Sequence, residues 1–534
     1  MLLNRKSLKN TTAWQNMNVK LPQFDFEKIA ENTKKSPQWV HFGAGNIFRG
    51  FIANAYQKLL DEKKATTAII AVESFDFEVI DKVYIPYDNL TLLVLMNANG
   101  NFEKKVVSSI SEALTTDKNR INDHKRLIEI FENPSLQMVS FTITEKGYSL
   151  TTPSGDFLNI IQQDIKNGPN NCFHTMSIIA ALAYKRYLKG QFPMTFVSMD
   201  NCSHNGDKLK NGVITLAEKW LENNFVEAEF ITYLKDKEKI TFPLSMIDKI
   251  TPRPSDVVEK ALTTLGLEKM DAIVTSKHSY MAPFVNSEVS EYLVIEDNFT
   301  NGRPKLEDAG VIFTNRDTVN NVETMKVTTC LNPLHTALAV SGCLLGYTLI
   351  ADEMKDKELK KLIEKIGYDE GMKVVIDPKI INPKEFLDEV INKRFANPFI
   401  PDTPQRIATD TSQKMGIRFG ETIKAYTKRD DLYVSDLIAI PLAIALWCRY
   451  LLGIDDEGNP FDISPDPLGD TLQSHFSGIK FGDKTSNIHK ILSNEELFNI
   501  NLYTIGLGKK IEDMFYQMIA GKNAVRNTLK AFLD

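Results

Sequence analysis

The chain has 534 residues, too many for one ordinary hydrophobic core, so two or three domains are expected. Hydrophobic residues make up 43% and charged residues 25%, the balance of a globular protein, and 63 basic against 69 acidic side chains leave a net charge of -6. That balance argues against nucleic acid as a partner. The five cysteines are few and lack C-x-x-C spacing, which suggests reduced thiols. No apolar run approaches the roughly 20 residues a spanning helix needs, and the start, MLLNRKSLKNTTAW, has no long apolar stretch of the secretory kind. A cytoplasmic protein with no membrane partner is expected.

In chain order, residues 38–42 read as a short buried strand, followed by the turn Gly43-Ala44-Gly45. Apolar residues from Ile47 to Leu60 then recur at helical spacing, and the β-branched and alanine-rich run Thr67 to Val72 makes a second strand closed by Glu73. Together these predict a strand–turn–helix–strand unit. Further strands are expected at 90–96, 138–143 and 195–199, with a helix at 176–188 before the last. This alternation points to an open, mostly parallel sheet. From about residue 325 the pattern becomes helical, with segments at 333–350, 356–366, 384–393, 435–451, 493–499 and 508–532. The expected architecture is α/β: a Rossmann-type nucleotide-binding domain over 1–320 and a mainly α-helical substrate domain over 321–534.

Glycines between a strand and a helix allow a tight turn and close approach of backbone to a pyrophosphate, while the helix start offers N–H donors. Gly43 and Gly45 are so placed, although Phe48 stands where the third glycine of G-x-G-x-x-G would be. Glu73, at the end of the second strand, is the expected partner of the adenine ribose hydroxyls, and its charge would repel a 2′-phosphate, favouring NAD over NADP. The simplest alternative makes Glu73 a solvated loop residue.

The segment Met325 to His335 gathers Lys326, Asn332 and His335 among apolar neighbours. Lysine can move a proton, asparagine can donate to a developing oxyanion, and histidine can hold a hydroxyl. Each residue alone also has an ordinary structural reading. Pro333 lacks an N–H and disfavours helical geometry at Asn332, which predicts a helix with Asn332 as its N-cap and Pro333 as its first residue.

With these residues identified, the chain resembles the long-chain mannitol dehydrogenase family, which includes mannonate and altronate oxidoreductases. The resemblance runs from Val40 to beyond Trp447 and rests on HFGAGNIFRGF at 41–51, VSFTITEKGY at 139–148, MDNCSHNG at 199–206, FPLSMIDKITP at 242–252 and RFANPFIPDTPQRIATDTSQK at 394–414. It implies that Lys326 is the general acid/base and that Asn201 and Asn332 hold the reacting oxygen. It further implies that His335, Asp248, Arg406 and Lys414 contact a polyhydroxy substrate, that Glu145 lines a proton route, and that Asn46 and Arg49 join Gly43, Gly45 and Glu73 at NAD. No catalytic metal is implied. Asp200-Asn201 follows a predicted strand, at the end where open α/β sheets bind ligands, although an Asx turn would place an asparagine there equally well.

The chain departs from the family in three places. Lys326 and Asn332 stand one residue further apart than usual, Pro333 replaces a glycine, and Cys202-Ser203-His204 is more polar than its counterparts. A local bulge would absorb the extra residue; otherwise the site takes another shape. The implied activity is reversible hydride transfer between NAD and a linear sugar acid or polyol, with fructuronate and mannonate favoured over the tagaturonate–altronate and fructose–mannitol pairs. A protein that senses NAD without turnover is the alternative from another class. A monomer or small homo-oligomer is expected.

Overall fold

The computed structural model describes residues 1–97, 100–476, 478–479 and 488–534. The chain separates into two compact units, Met1–Val319 and Asn320–Asp534.

The first unit is built on six parallel strands: β1 (Trp39–Phe42), β2 (Ile69–Glu73), β3 (Ile110–Thr115), β4 (Met138–Phe141), β5 (Met194–Ser198) and β6 (Ile240–Thr241). Their spatial order is β3-β2-β1-β4-β5-β6. This is the doubly wound Rossmann arrangement, with its order reversal between β1 and β4. Every residue of β1, β2, β4 and β5 is buried. Side chains alternate across the strand, so both faces must be apolar: Val40 and Phe42 belong to one core cluster and Trp39 to another. Helices α1 (Ala53–Asp61), α2 (Thr175–Gly190) and α3 (Asn205–Glu222) lie among the connections.

The expected strand at 90–96 forms over Thr91–Met96, but not in this sheet. It pairs antiparallel with Phe102–Val107 and parallel with Phe284–Ser287, in a separate four-stranded sheet that also holds Val19–Lys20. The third sheet strand is instead Ile110–Thr115, which pattern reasoning did not find. A smaller sheet pairs Ser245–Asp248 antiparallel with Tyr292–Glu296, which runs parallel to Ile312–Thr314.

The second unit is helical. Its buried centre includes α5 (Asn332–Leu345), which follows α4 (Arg316–Met325), and α6 (Ala439–Tyr450), all of whose residues are buried. α6 packs on α5 and on α7 (Gly508–Met518). The single helix expected over 508–532 is two: α7 ends before Gly521, at φ +154, and Asn523, at φ +59, and a second helix covers Ala524–Leu533. Among the described residues no helix is long and apolar enough to cross a membrane.

Candidate active site

In the first unit the chain leaves β1 through Gly43, whose φ is +102. A β-carbon there would lie 2.1 Å from the Thr142 carbonyl oxygen, so both conformation and space require glycine. The turn is tied down on several sides. Gly43 N–H donates to Val72 O at 2.9 Å, Ala44 N–H to Glu73 Oε2 at 3.0 Å, and Tyr84 O–H to Ala44 O at 3.0 Å. Gly45 is different, because no atom lies within 4 Å of the β-carbon it lacks. The space above it is open, at the start of the helical segment that leads through a wide turn, Phe48–Ile52, into α1. That opening is the shape a phosphate group needs to approach the backbone donors of a helix start.

Phe48, in the place of the third glycine, stacks on His41 with ring centroids 4.0 Å apart. His41 is fully buried, its ring nitrogens 2.6 Å from Ser140 Oγ and 2.8 Å from Thr142 Oγ1, and burial pushes its pKa down to about 3. It is a neutral clamp between β1 and β4. The role for which a glycine would be used, close packing of helix on sheet, falls to Gly50. A β-carbon there would meet Val285 Cγ1 at 2.7 Å.

Glu73 ends β2 with little exposure. Its Oε1 accepts the N–H groups of Ser74, Phe75 and Asp76 at 3.0, 2.9 and 3.2 Å, and Oε2 takes Ala44 N–H. Burial pushes its pKa upward, and those four backbone donors oppose the shift. The carboxylate thus joins the end of β2 to the glycine turn, and Oε2, with one donor, keeps a lone pair for a ribose hydroxyl. Arg49 is buried, donating from Nη1 to Ala282 O at 2.9 Å and from Nη2 to Asn46 Oδ1 at 2.8 Å. These bonds brace the turn from within the protein, and Asn46 shares in that brace.

At the ends of β4 and β5, Asp200 accepts the N–H groups of Ile143 and Thr144 at 2.8 and 3.0 Å and the Tyr148 hydroxyl at 2.6 Å. Burial raises its pKa, and these donors work against that rise. Asn201 follows on the surface. Asn205 was not singled out from the sequence. Its buried amide donates to Asp200 O and Ser245 O, both at 3.0 Å, and its Oδ1 accepts Ser245 N–H at 3.1 Å. It thereby pins the loop carrying Asn201 to the strand that ends in buried Asp248. Glu145 is exposed and forms an ion pair with Lys208 of α3.

In the second unit α4 runs into a wide helical turn, Lys326–Cys330, in which Leu331 N–H reaches back five residues to Lys326 O at 3.1 Å. A π turn holds one residue more than an α turn, so the extra residue between Lys326 and Asn332 lies in a bulge. Lys326 is buried at its start. The bulge also moves the next helix: Leu331, not Asn332, is the N-cap of α5, and Asn332 and Pro333 are its first two residues. Leu331 offers no capping side chain; its carbonyl accepts His335 N–H at 3.0 Å, the first bond of the helix, and Pro333 leaves one fewer first-turn N–H in need of a partner.

His335 Nε2 lies 3.1 Å from Asp402 Oδ2, without a well-directed hydrogen bond. Burial lowers the His335 pKa, Arg418 and Arg406 lower it further, and Asp402 opposes them. Arg406 forms an ion pair with the same carboxylate through Nη2. Lys414, half-buried, donates to Thr409 O, and burial together with nearby Arg418 lowers its pKa. His335, Arg406 and Lys414 therefore share one neighbourhood of the helical unit. Two further members of it, Asp402 and Arg418, went unnoticed in the sequence.

Family models match two long segments: the mannitol dehydrogenase Rossmann domain over residues 37–308 and the mannitol dehydrogenase C-terminal domain over 318–518. The chain belongs to the mannitol dehydrogenase family. Within it, the chain is 55% identical to the D-mannonate oxidoreductase of Thermotoga maritima, across 99% of its own length and 98% of the relative's. Mannitol 2-dehydrogenase of Pseudomonas fluorescens, solved as a ternary complex with NAD and D-mannitol, superposes with a TM-score of 0.73 at 26% identity, covering 100% of this chain and 99% of that one. A D-sorbitol dehydrogenase in substrate-free form gives a TM-score of 0.81 at 25% identity, covering all of both chains. The turn at Gly43 and Gly45 and the wide turn at Lys326 are thus features of a mannitol dehydrogenase family member, and the first 36 residues precede both matched segments.

Proposed function

We propose that this protein is an NAD-dependent oxidoreductase that interconverts D-mannonate and D-fructuronate. The observation that carries the reading is the 55% identity to a D-mannonate oxidoreductase over nearly the whole chain. The cations Arg406 and Lys414 beside His335, suited to a carboxylate, agree with it. Bound NAD supplies the hydride acceptor. The open face of Gly45 accommodates its pyrophosphate, and Glu73 at the end of β2 takes the adenine ribose and disfavours a 2′-phosphate.

Lys326 takes the substrate hydroxyl proton during oxidation and returns it during reduction. Asn332 donates to the oxygen as it gains alkoxide character; at the start of α5 its side-chain amide has no hydrogen-bond partner among the described residues. The resemblance assigns Asn201 of the first unit to the same oxygen. His335, Asp248, Arg406 and Lys414 bind the substrate's hydroxyl and carboxyl groups, and Glu145 with Lys208 serves proton exchange with solvent. Tagaturonate–altronate and fructose–mannitol remain the runner-up pairs, the latter favoured by the likeness to mannitol 2-dehydrogenase.

The test is the loss of NADH absorbance at 340 nm with fructuronate, tagaturonate and fructose, and its gain with NAD and mannonate. The fastest turnover is expected with fructuronate. Turnover with none of them, while NADH still binds, would identify an NAD-sensing protein instead.

A further inference from the structure

One cation of the helical unit has no part in the reaction as proposed. Arg418 lies in the wide turn Gly416–Gly420, one turn after Lys414, whose carbonyl accepts its N–H at 3.0 Å. Its Nη1 donates to Thr336 Oγ1. Thr336 follows His335 in α5, and its hydroxyl in turn donates to Asn332 O at 3.0 Å. Arg418 is therefore two hydrogen bonds from the residue proposed to hold the reacting oxygen. That single contact is the only hydrogen bond its guanidinium makes among the described residues, so four of its five N–H donors are uncommitted.

Not every cation here is in an ion pair. Asp402 is already used twice, by Arg406 and by His335, and Asp410 and Asp466 act on Lys414 only from beyond ion-pair distance. Among the described residues neither Lys414 nor Arg418 has a carboxylate within ion-pair distance; each donates only to a neutral oxygen. Arg406 differs from both, being paired and 65% exposed. Two like charges drawn partly out of water, one helical turn apart and neither in an ion pair, are costly unless an anion joins them.

We propose that Arg418, together with Lys414, receives the substrate carboxylate, while Arg406, paired with Asp402 beside His335, is left to the substrate's hydroxyl groups. Arg418 is then the residue that selects a sugar acid over a neutral polyol. This assignment rests on the reading of the protein as a sugar-acid oxidoreductase.

The experiment compares Arg418→Met, Arg418→Lys and Arg406→Met with the unchanged enzyme, measuring kcat and KM for fructuronate and for fructose, with an NADH fluorescence titration to show that each variant is folded. For Arg418→Met the KM for fructuronate is expected to rise by about 10–100-fold with a much smaller fall in kcat, and the fructuronate-to-fructose ratio of kcat/KM to fall by about tenfold or more. Arg418→Lys is expected to recover part of the loss. Arg406→Met should lower kcat on both substrates and leave the ratio in place. Where fructose turnover is too slow to measure, the rise in KM for fructuronate against a steady KM for NADH takes the place of the ratio. An Arg418→Met enzyme whose ratio or fructuronate KM is unchanged overturns the Arg418 assignment alone. Wild-type enzyme that reduces fructose but no keto acid overturns the sugar-acid reading, and this assignment with it.

Discussion

Glu353 occupies the space that a side chain on Gly342 would need: a β-carbon on Gly342 would lie 2.1 Å from Glu353 Oε1. Gly342 sits inside α5, where glycine is otherwise a poor helix former, so its place is explained by the carboxyl group beside it. Gly342→Ala should destabilise the protein by about 1–3 kcal/mol, the usual cost of forcing an extra methyl into a packed interior. The same substitution in a Glu353→Ala background should cost less, because the nearer obstruction is gone and Pro404 Cγ, 2.9 Å from the β-carbon, is what is left. Urea denaturation of the four proteins in this cycle checks it, and strictly additive effects would show that the two residues do not compete for space.

Glu353 itself is fully buried, and neither carboxyl oxygen has a hydrogen-bond partner among the described residues. Burial holds its pKa well above the ordinary value of 4.5, and Asp356 and Asp402 add to the shift. The folded chain then keeps a proton that the unfolded chain releases, so the associated stability is complete below about pH 4.5 and is lost as pH rises toward the folded pKa. Glu353→Gln has no such titration. The melting temperature of the variant relative to wild type should therefore climb as pH rises from about 5 toward the raised folded pKa. A difference that stays flat over this range would place the carboxyl in a better solvated setting.

The two glycines of the turn after β1 should separate stability from binding. Gly43→Ala puts a β-carbon onto the Thr142 carbonyl at a φ of +102, so loss of folded protein, or a fall of several degrees in Tm, is expected. Gly45→Ala meets no protein atom and should melt normally. It fills the space proposed for the pyrophosphate, so NADH affinity should drop by about tenfold or more. Fluorescence titration of NADH beside thermal melts distinguishes the two, and Gly45→Ala with unchanged affinity would move the cofactor elsewhere.

What the sequence disclosed follows from burial. β1, β2, β4 and β5 are covered on both faces and so appear as largely apolar runs, unbroken in Ile69-Ile70-Ala71-Val72 and interrupted in the others by His41, Ser140 and Thr195. β3 escaped because its run, Ile-Ser-Glu-Ala-Leu-Thr, carries half-exposed polar residues at the sheet's edge, and β6 is two residues long. Lys326, Asn332 and His335 stood out because three chemically useful side chains lie within ten positions. The cap at Leu331 was missed because Asn-Pro is locally a good helix start, and only the wide turn ahead of it, set by the helix arriving from Arg316, moves the boundary. Arg418 was invisible for a similar reason. An arginine four residues after a lysine resembles an ordinary solvated helix face, and its burial beside Thr336 comes from contacts 82 residues away in sequence. Asn205 is equally non-local, bonding to Ser245 across 40 residues.

The Asp402–His335 contact should govern the pH dependence of catalysis. Burial raises the Asp402 pKa, but His335 and Arg406 outweigh it and hold the carboxyl below its ordinary value of 3.8. The stability this represents is present above about pH 3.8 and is lost as pH falls through the lower folded value. Burial lowers the His335 pKa below 6.5, with Arg418 and Arg406 acting in the same direction and Asp402 against them. The unfolded chain therefore binds this proton first as pH drops, and stability also falls on that side. Asp402→Asn removes the carboxylate that favours the protonated ring, so the His335 pKa must fall further. The acidic limb of the kcat/KM profile for fructuronate should shift to lower pH, and kcat/KM near neutrality should fall by about tenfold as Arg406 and the imidazole lose their common anchor. A rate profile between pH 5 and pH 9 measures both effects. An acid limb that stays in place would mean that His335 is not the group whose protonation ends activity.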